Sequence, residues 1–491
     1  MKAPKEKSLK LNFIFNSILT ISNFIYPLIT FPYVSRILLP IGTGKVSFAT
    51  SVIYYFNILA QLGIPTYGIR ACARVRDDKE KLTRTAHEIL LLNLVTSICS
   101  YVMLFIALFT IQRLREEKTL MIIMSLTMIF QMIGVEWLYK ALEKYAYITT
   151  VTVIFKAVAV VAMLLLIHER SDYVIYGGLS IFAASASGVL NFINAHKYIG
   201  FRALKKYNIK QHLKPVFIFF AMSVTTTLYI QLNTVMLGFI KTDTDVGYFD
   251  AANKIKNILL GFVTSLGQVL LPRTSFYVEQ NKMDEFRAVT KKAFNFVVIL
   301  AASFTVYFVI FASEGILFLS GPAYSGAVLP MKIIMPTVFI IGLTNIMGIQ
   351  ILVPLGKERF VLYSEIAGAA TNLVISSILI PHFAATGAAI GMLFAELTVF
   401  IAQYIFLRDT MPVLIKQLRW FRLLIPLIFA GVVAFMIKRL PINSNLIILV
   451  CSAVAFYGVY GIGLLFAKEP LTMQLIAQVT EKLKRIKANQ K

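Results

Sequence analysis

Apolar runs of about twenty residues recur from one end of this sequence to the other, and that recurrence decides its fold class. A helix rises about 1.5 Å per residue, so each run matches the hydrocarbon thickness of a bilayer. Fourteen such ranges are expected to span: 12–36, 46–69, 87–111, 119–138, 147–167, 173–195, 215–240, 250–271, 293–312, 328–352, 361–380, 384–407, 422–437 and 444–467. The composition agrees, with 58% hydrophobic residues and only 15% charged. A soluble domain carries about 25% charged residues. The expected class is therefore an all-α integral membrane protein.

The charge sits between the runs. There are 48 Lys+Arg against 24 Asp+Glu, a formal net charge of +24. A nucleic-acid-binding protein gathers such charge on a soluble face, so no nucleic-acid partner is expected. With fourteen spans both termini share one side, and the connections on that side hold 35 of the 48 basic residues against 11 on the other. Positive residues mark the cytoplasmic side, which predicts cytoplasmic termini. Leu11–Ile37, after Lys2, Lys5, Lys7 and Lys10, is too long for a signal-peptide core and reads as a retained first span. Cys72, Cys99 and Cys451 are isolated, so neither a disulfide framework nor a metal site is expected.

The chain also repeats itself. Arg36–Val52 can be laid on Phe239–Ile255, which brings Gly44 onto Gly247, and Leu142–Ile148 on Leu355–Val361. Both matches are offset by six spans, an even number, so the halves share one orientation. The expected plan is a six-helix lobe (1–195), a basic linker (196–214), a second six-helix lobe (215–407), and two extra helices with a basic tail (408–491). Two like-oriented lobes around a midplane cavity form a transporter plan.

The stretch SRILLPIGTGKVSF (35–48) tests for an enzyme. A phosphate-binding loop needs Gly, four further residues, then Gly-Lys-Ser/Thr. Here Leu39 and Val46 occupy the first and last positions, so no nucleotide is expected, and Gly42-Thr43-Gly44 reads as the outer turn of the first hairpin. No GxSxG, HExxH or paired cysteines occur, so no catalytic residue and no cofactor is expected. Transport would be driven by the substrate's own gradient or by H⁺ or Na⁺ coupling.

Polar residues inside spans are costly and mark cavities or partners. Lys156 reads as a cavity cation or a lysine snorkelling to the cytoplasm, and Arg36 as an interface anchor or an exit-side cation. Lys254 has Asp250 one turn earlier, which admits a local ion pair. Glu365 and Glu396 are candidates for ion coupling or for hydrogen bonding between packed helices. Asn23, Asn57 and Gln61 make spans 1 and 2 the most polar, and Gln231 with Thr225, Thr226 and Thr227 repeats the bias in span 7. Pro27, Pro32 and Pro65 should bend spans 1 and 2 into a cavity wall.

Several segments resemble bacterial polysaccharide repeat-unit flippases, the Wzx-like branch of the multidrug/oligosaccharidyl-lipid/polysaccharide (MOP) exporter superfamily that includes MATE transporters. FPYVSRILLPIGTGKVSFATS carries Pro32, Tyr33, Arg36, Leu38, Pro40 and Gly44 of the first-hairpin signature, with Leu39 where the family usually has Gly. Glu136-Trp137-Leu138-Tyr139 with Leu142-Glu143-Lys144-Tyr145 resembles the turn between spans 4 and 5. Val246–Ile255 and Leu270-Leu271-Pro272-Arg273 resemble the edges of span 8. The resemblance implies translocation of an oligosaccharide on undecaprenyl pyrophosphate across the bacterial cytoplasmic membrane by alternating access. A polysaccharide polymerase and chain-length machinery would be its partners, for O-antigen, capsule or exopolysaccharide. It also implies that Lys156 and Lys254 face the diphosphate and that Arg36 meets the headgroup near the exit. Lipid II flippases usually carry an Arg in mid-span 1 where this chain has Leu28-Ile29-Thr30, which argues against lipid II. The rivals are a cation-coupled drug or lipid II exporter of the same fold and a glycan polymerase or ligase. The enzyme would want a long outer loop with Arg or His, whereas 313–327 has no Lys, Arg or His.

Overall fold

The computed structural model describes residues 6–477 except 203, 205, 206, 443 and 475. The side chains of 6–10, 13, 222–229, 266, 268, 269, 413 and 417 fall outside it. The lysines at 2 and 5, the basic tail beyond 477 and the Thr225–Thr227 side chains therefore lie outside the described residues.

The described residues form two compact units, 1–247 and 248–491. The first holds α1 (Glu6–Gln61), α2 (Ile64–Arg74), α3 (Lys79–Thr110), α4 (Gln112–Glu116), α5 (Lys118–Gly134), α6 (Glu136–Ala141), α7 (Tyr145–Leu166), α8 (Tyr173–Ser185), α9 (Ser187–Ala195) and α10 (Lys210–Ile240). α11 (Asp243–Glu279) starts in this unit and continues into the second. The second unit adds α12 (Met283–Ile310), α13 (Ala312–Ser320), α14 (Val328–Ile334), α15 (Pro336–Asn345), α16 (Glu358–Phe406), α17 (Met411–Gln417), α18 (Trp420–Lys438) and α19 (Asn445–Phe466). The linker at 196–214 precedes this division, so α10 packs with α1 and α2 in the first unit.

Ten helices among the described residues are long and apolar enough to cross a membrane, or eleven with the bent pair Pro322–Ile334 and Pro336–Leu352. Fourteen ranges were expected. The ranges 12–36 and 46–69 are separated by the kink at Leu39 inside α1, the second running on through the turn at Leu62-Gly63 into α2, and 361–380 and 384–407 are separated by the kink at Ala384 inside α16. The range 215–240 lies on α10, part of whose side chains is undescribed. Long apolar side chains point outward, as on Phe109, Leu165, Ile425 and Phe466. A soluble protein would not leave so much large apolar surface in water, whereas lipid solvates it.

The breaks are not where the prolines alone would put them. The backbone of α1 stays helical past Pro27 and Pro32 and leaves helical geometry at Leu39 (φ 57°, ψ 178°). Pro40 disfavours the helical region for the residue before it, which pushes Leu39 out. Residues 42–44, expected as the outer turn, are helical, and the turn belongs to Leu39-Pro40. Leu39 occupies a region almost restricted to glycine, which accounts for the glycine usual in the resembled signature. The strain is about 1–3 kcal/mol, so Leu39→Gly is expected to raise the melting temperature of the purified protein, and Leu39→Ile to lower it. A second break at Leu62 and Gly63, both at positive φ, turns the chain into α2, with Pro65 in its first turn.

In the second unit, α12 meets the segment after α19. Glu469 is buried, accepts Leu471 N at 3.0 Å and Thr472 N at 2.6 Å, and takes the Asn295 amide. Burial raises its pKa, but these hydrogen bonds outweigh burial and hold the carboxyl below its usual value. A depressed folded pKa stabilises above the unfolded pKa of about 4.3, and the contribution fades as pH falls through the folded value. Glu469→Gln should therefore lose about 1–2 kcal/mol in neutral-pH melts, and the difference from the parent should shrink as the pH is lowered below the unfolded carboxyl pKa.

Candidate functional site

A polar cavity of about 560 Å³ opens inside the first unit, between α1, α2, α5, α6, α7 and α9. Its walls include Thr20 and Asn23 from α1, Gln61 at the α1 end, Gln131 from α5, Trp137 from α6 and Asn191 from α9. The local breaks create it. The turn at Leu62-Gly63 ends α1 beside the cavity and exposes Gln61 to it. Val135 takes a left-handed conformation (φ 39°, ψ 38°) after α5 and swings α6 inward, so Glu136, Trp137 and Lys140 join the lining. Close packing holds the walls. Gly188 on α9 lies so near α5 that an added Cβ would meet Phe130 O at 2.3 Å. Gly68 on α2 seats the Trp137 ring, where a Cβ would come within 2.8 Å.

Three buried lining residues hold polar atoms with no hydrogen-bond partner among the described residues: Gln61 Nε2, Trp137 Nε1 and Asn191 Oδ1. Buried polar groups are nearly always partnered, and each orphan costs about 1–3 kcal/mol. A ligand rich in hydroxyls would satisfy two donors and an acceptor together. Asn57 sits behind the wall and donates to Gln131 Oε1 at 3.0 Å.

At the cavity's edge α7 supplies Lys156, one turn from the lining residue Thr152. Lys156 is 8% exposed, and its ammonium donates to Ser22 Oγ at 2.9 Å and to Asn23 Oδ1. It reaches toward α1, and no carboxylate pairs with it among the described residues. A buried ammonium held only by neutral acceptors stays under-compensated in low dielectric. An anion entering beside Asn23 would complete it.

Other expected residues lie elsewhere. Gln231 on α10 accepts Ser51 Oγ at 3.0 Å. Arg36 is exposed and donates to Pro32 O on its own helix, and Lys254 forms the local ion pair with Asp250. In the second unit Glu365 is half-buried and Glu396 buried. Glu396 faces the charge of Lys256, itself buried with its ammonium 3.4 Å from Met392 Sδ. The charge count assigned Lys256 to a connection, so this intramembrane cation was missed. Trp137, Gln131 and Asn191 were missed as lining residues because only the breaks at Leu62-Gly63 and Val135 bring them together.

Near the other ends of these helices, α1 meets the turn between α10 and α11. A Cβ on Gly44 would lie 1.7 Å from Asp243 O and 2.9 Å from Gly247 N, and one on Gly247 would lie 2.1 Å from Pro40 O. The two glycines paired by the sequence repeat thus face each other, backbone on backbone. Arg113 reinforces the contact, donating to Gly238 O at 2.9 Å and pairing with Asp243, while Lys45 pairs with Glu117.

Among proteins of known sequence, a putative O-antigen transporter of Escherichia coli (strain K12) is 27% identical over 82% of this chain and 97% of its own. One from Shigella dysenteriae is 24% identical over 77% and 94%. Among solved structures, the lipid II flippase MurJ in an inward closed conformation matches with a TM-score of 0.73 at 14% identity, covering 95% of this chain and 99% of that one. An inward-facing MATE multidrug transporter of the MOP superfamily matches at 0.63 and 15% identity, covering 83% and 99%. These likenesses give the fold. The family model described as polysaccharide biosynthesis protein matches residues 9–278, more than half of the sequence, and the chain belongs to that family.

Proposed function

We propose that this protein is a flippase that carries an oligosaccharide repeat unit on undecaprenyl pyrophosphate from the inner to the outer leaflet of the cytoplasmic membrane. The observation that carries this reading is a buried, carboxylate-free Lys156 beside a cavity with unpaired amide and indole groups. A glycan and a diphosphate are excluded by hydrocarbon. The cavity offers hydroxyl-matching groups for the sugars, Lys156 for the diphosphate, and the bilayer itself takes the polyprenyl tail. The O-antigen transporter names of the relatives support the same reading. Substrate neutralising Lys156 would favour a rearrangement that opens the contact at Gly44 and Gly247. The basic bias of the connections supports cytoplasmic termini for this reading. Ion coupling is assigned to Glu365 and Glu396, the half-buried and buried carboxylates of the second unit.

Depleting the protein in its own host is expected to leave lipid-linked repeat units accumulating in the inner leaflet while surface polysaccharide falls. Loss of the protein without any change in surface glycan would contradict the reading.

A further inference from the structure

A second cavity in the first unit, about 750 Å³, lies between α2 and the start of α10 and shares no lining residue with the polar cavity. Arg70 and Arg74 on α2 and Lys214 on α10 line it, and no carboxylate does so among the described residues. None of the three cations has a side-chain hydrogen bond or ion pair among the described residues. Arg70 and Arg74 lie one turn apart on one helix face, so their charges add at one spot.

The floor is rigid. His212 Nδ1 meets Tyr67 OH at 2.6 Å, and His212 Nε2 meets Glu88 Oε2 at 2.7 Å. Glu88 is fully buried behind the floor, and Asn208 N at 2.7 Å and Gln211 Nε2 at 2.9 Å complete its shell. That carboxylate is thus spent on the floor. The α10 part of the lining also differs in kind: Pro215, Ile218 and Phe219 are apolar, and Ile218 is 55% exposed. Cations and exposed apolar groups lining one cavity match a molecule with a charged head and a hydrocarbon body. The connections 70–86 and 196–214 carry the basic excess, which puts this cavity at the cytoplasmic surface. Basic pockets between spans on that side attract anionic headgroups.

We infer that Arg70, Arg74 and Lys214 bind the phosphate of a membrane lipid at the cytoplasmic rim of the first unit. The site is independent of the flippase reading, because its occupancy is measured without translocation. The purified full chain in neutral detergent is titrated separately with phosphatidylglycerol, undecaprenyl diphosphate, phosphatidylcholine and inorganic diphosphate, and complexes are followed by native mass spectrometry. The parent should bind phosphatidylglycerol or undecaprenyl diphosphate well above phosphatidylcholine, the tighter of the two naming the source. The Arg70→Gln/Arg74→Gln/Lys214→Gln variant should lose about a hundredfold in that affinity. The Arg70→Lys/Arg74→Lys variant should keep most of it and controls for folding. Equal lipid binding by parent and triple variant would overturn the assignment. So would inorganic diphosphate binding as tightly as the lipids, which would mark a site for a soluble anion.

Discussion

Replacing Lys156 with methionine is expected to cut transport about a hundredfold while leaving the amount of protein and its melting temperature unchanged or higher. The two halves of that expectation have one cause. The ammonium is buried, bonded only to Ser22 and Asn23, and unmatched by a carboxylate among the described residues. Its desolvation weighs on the empty protein, so an apolar side chain of similar length relieves rather than harms the fold. A diphosphate in the cavity would lose a charge-assisted interaction of about 2–3 kcal/mol. Lys156→Arg should retain charge but only partial transport, because the planar guanidinium fits Ser22 and Asn23 differently. A lysine with a purely structural role would lose stability and transport together, so thermal melts beside transport assays separate the two.

Gly44→Ala is expected to have the second large effect, on α1 beyond the break at Leu39. The added Cβ would sit 1.7 Å from Asp243 O, a backbone atom that no rotamer change can move. Overpacking of this kind costs about 1–3 kcal/mol, enough to shift a two-state equilibrium about 5- to 150-fold. The contact that Arg113 and Asp243 tie together should open. With Cys72, Cys99 and Cys451 replaced by serine, a reporter cysteine at Ser51, which now bonds Gln231, should label faster from outside. Unchanged labelling and transport in Gly44→Ala would show that this contact does not close in the working cycle.

Much of this was legible before any coordinates. Run length gave the class, because bilayer thickness and backbone hydrogen bonding leave few alternatives. The repeat that pairs Gly44 with Gly247 was visible as a weak match, and its meaning as a backbone contact was not. Nothing in Gly42-Thr43-Gly44 tells a turn from a helix that must come close to another. Leu39 made the point sharper: a leucine is an unfavourable residue for a positive-φ break, and nothing in its identity marks it. The cavity was half legible. Asn23 and Gln61 were marked by polarity in apolar runs, whereas Trp137 and Asn191 look like ordinary interface residues until α6 and α9 are placed. Lys256, Glu88 and His212 were hidden because each lies at the edge of a run, and residues 88 and 212 meet only in three dimensions.

The decisive measurement is leaflet exchange. The protein is reconstituted into proteoliposomes with a fluorescent oligosaccharide on undecaprenyl diphosphate, and the glycan exposed on each side is followed with an enzyme that cannot cross the membrane. The flippase assignment requires the protected pool to become accessible with the parent protein and to stay protected with Lys156→Met. A protected pool that remains protected with the parent, in liposomes where the protein is folded and correctly inserted, would contradict it.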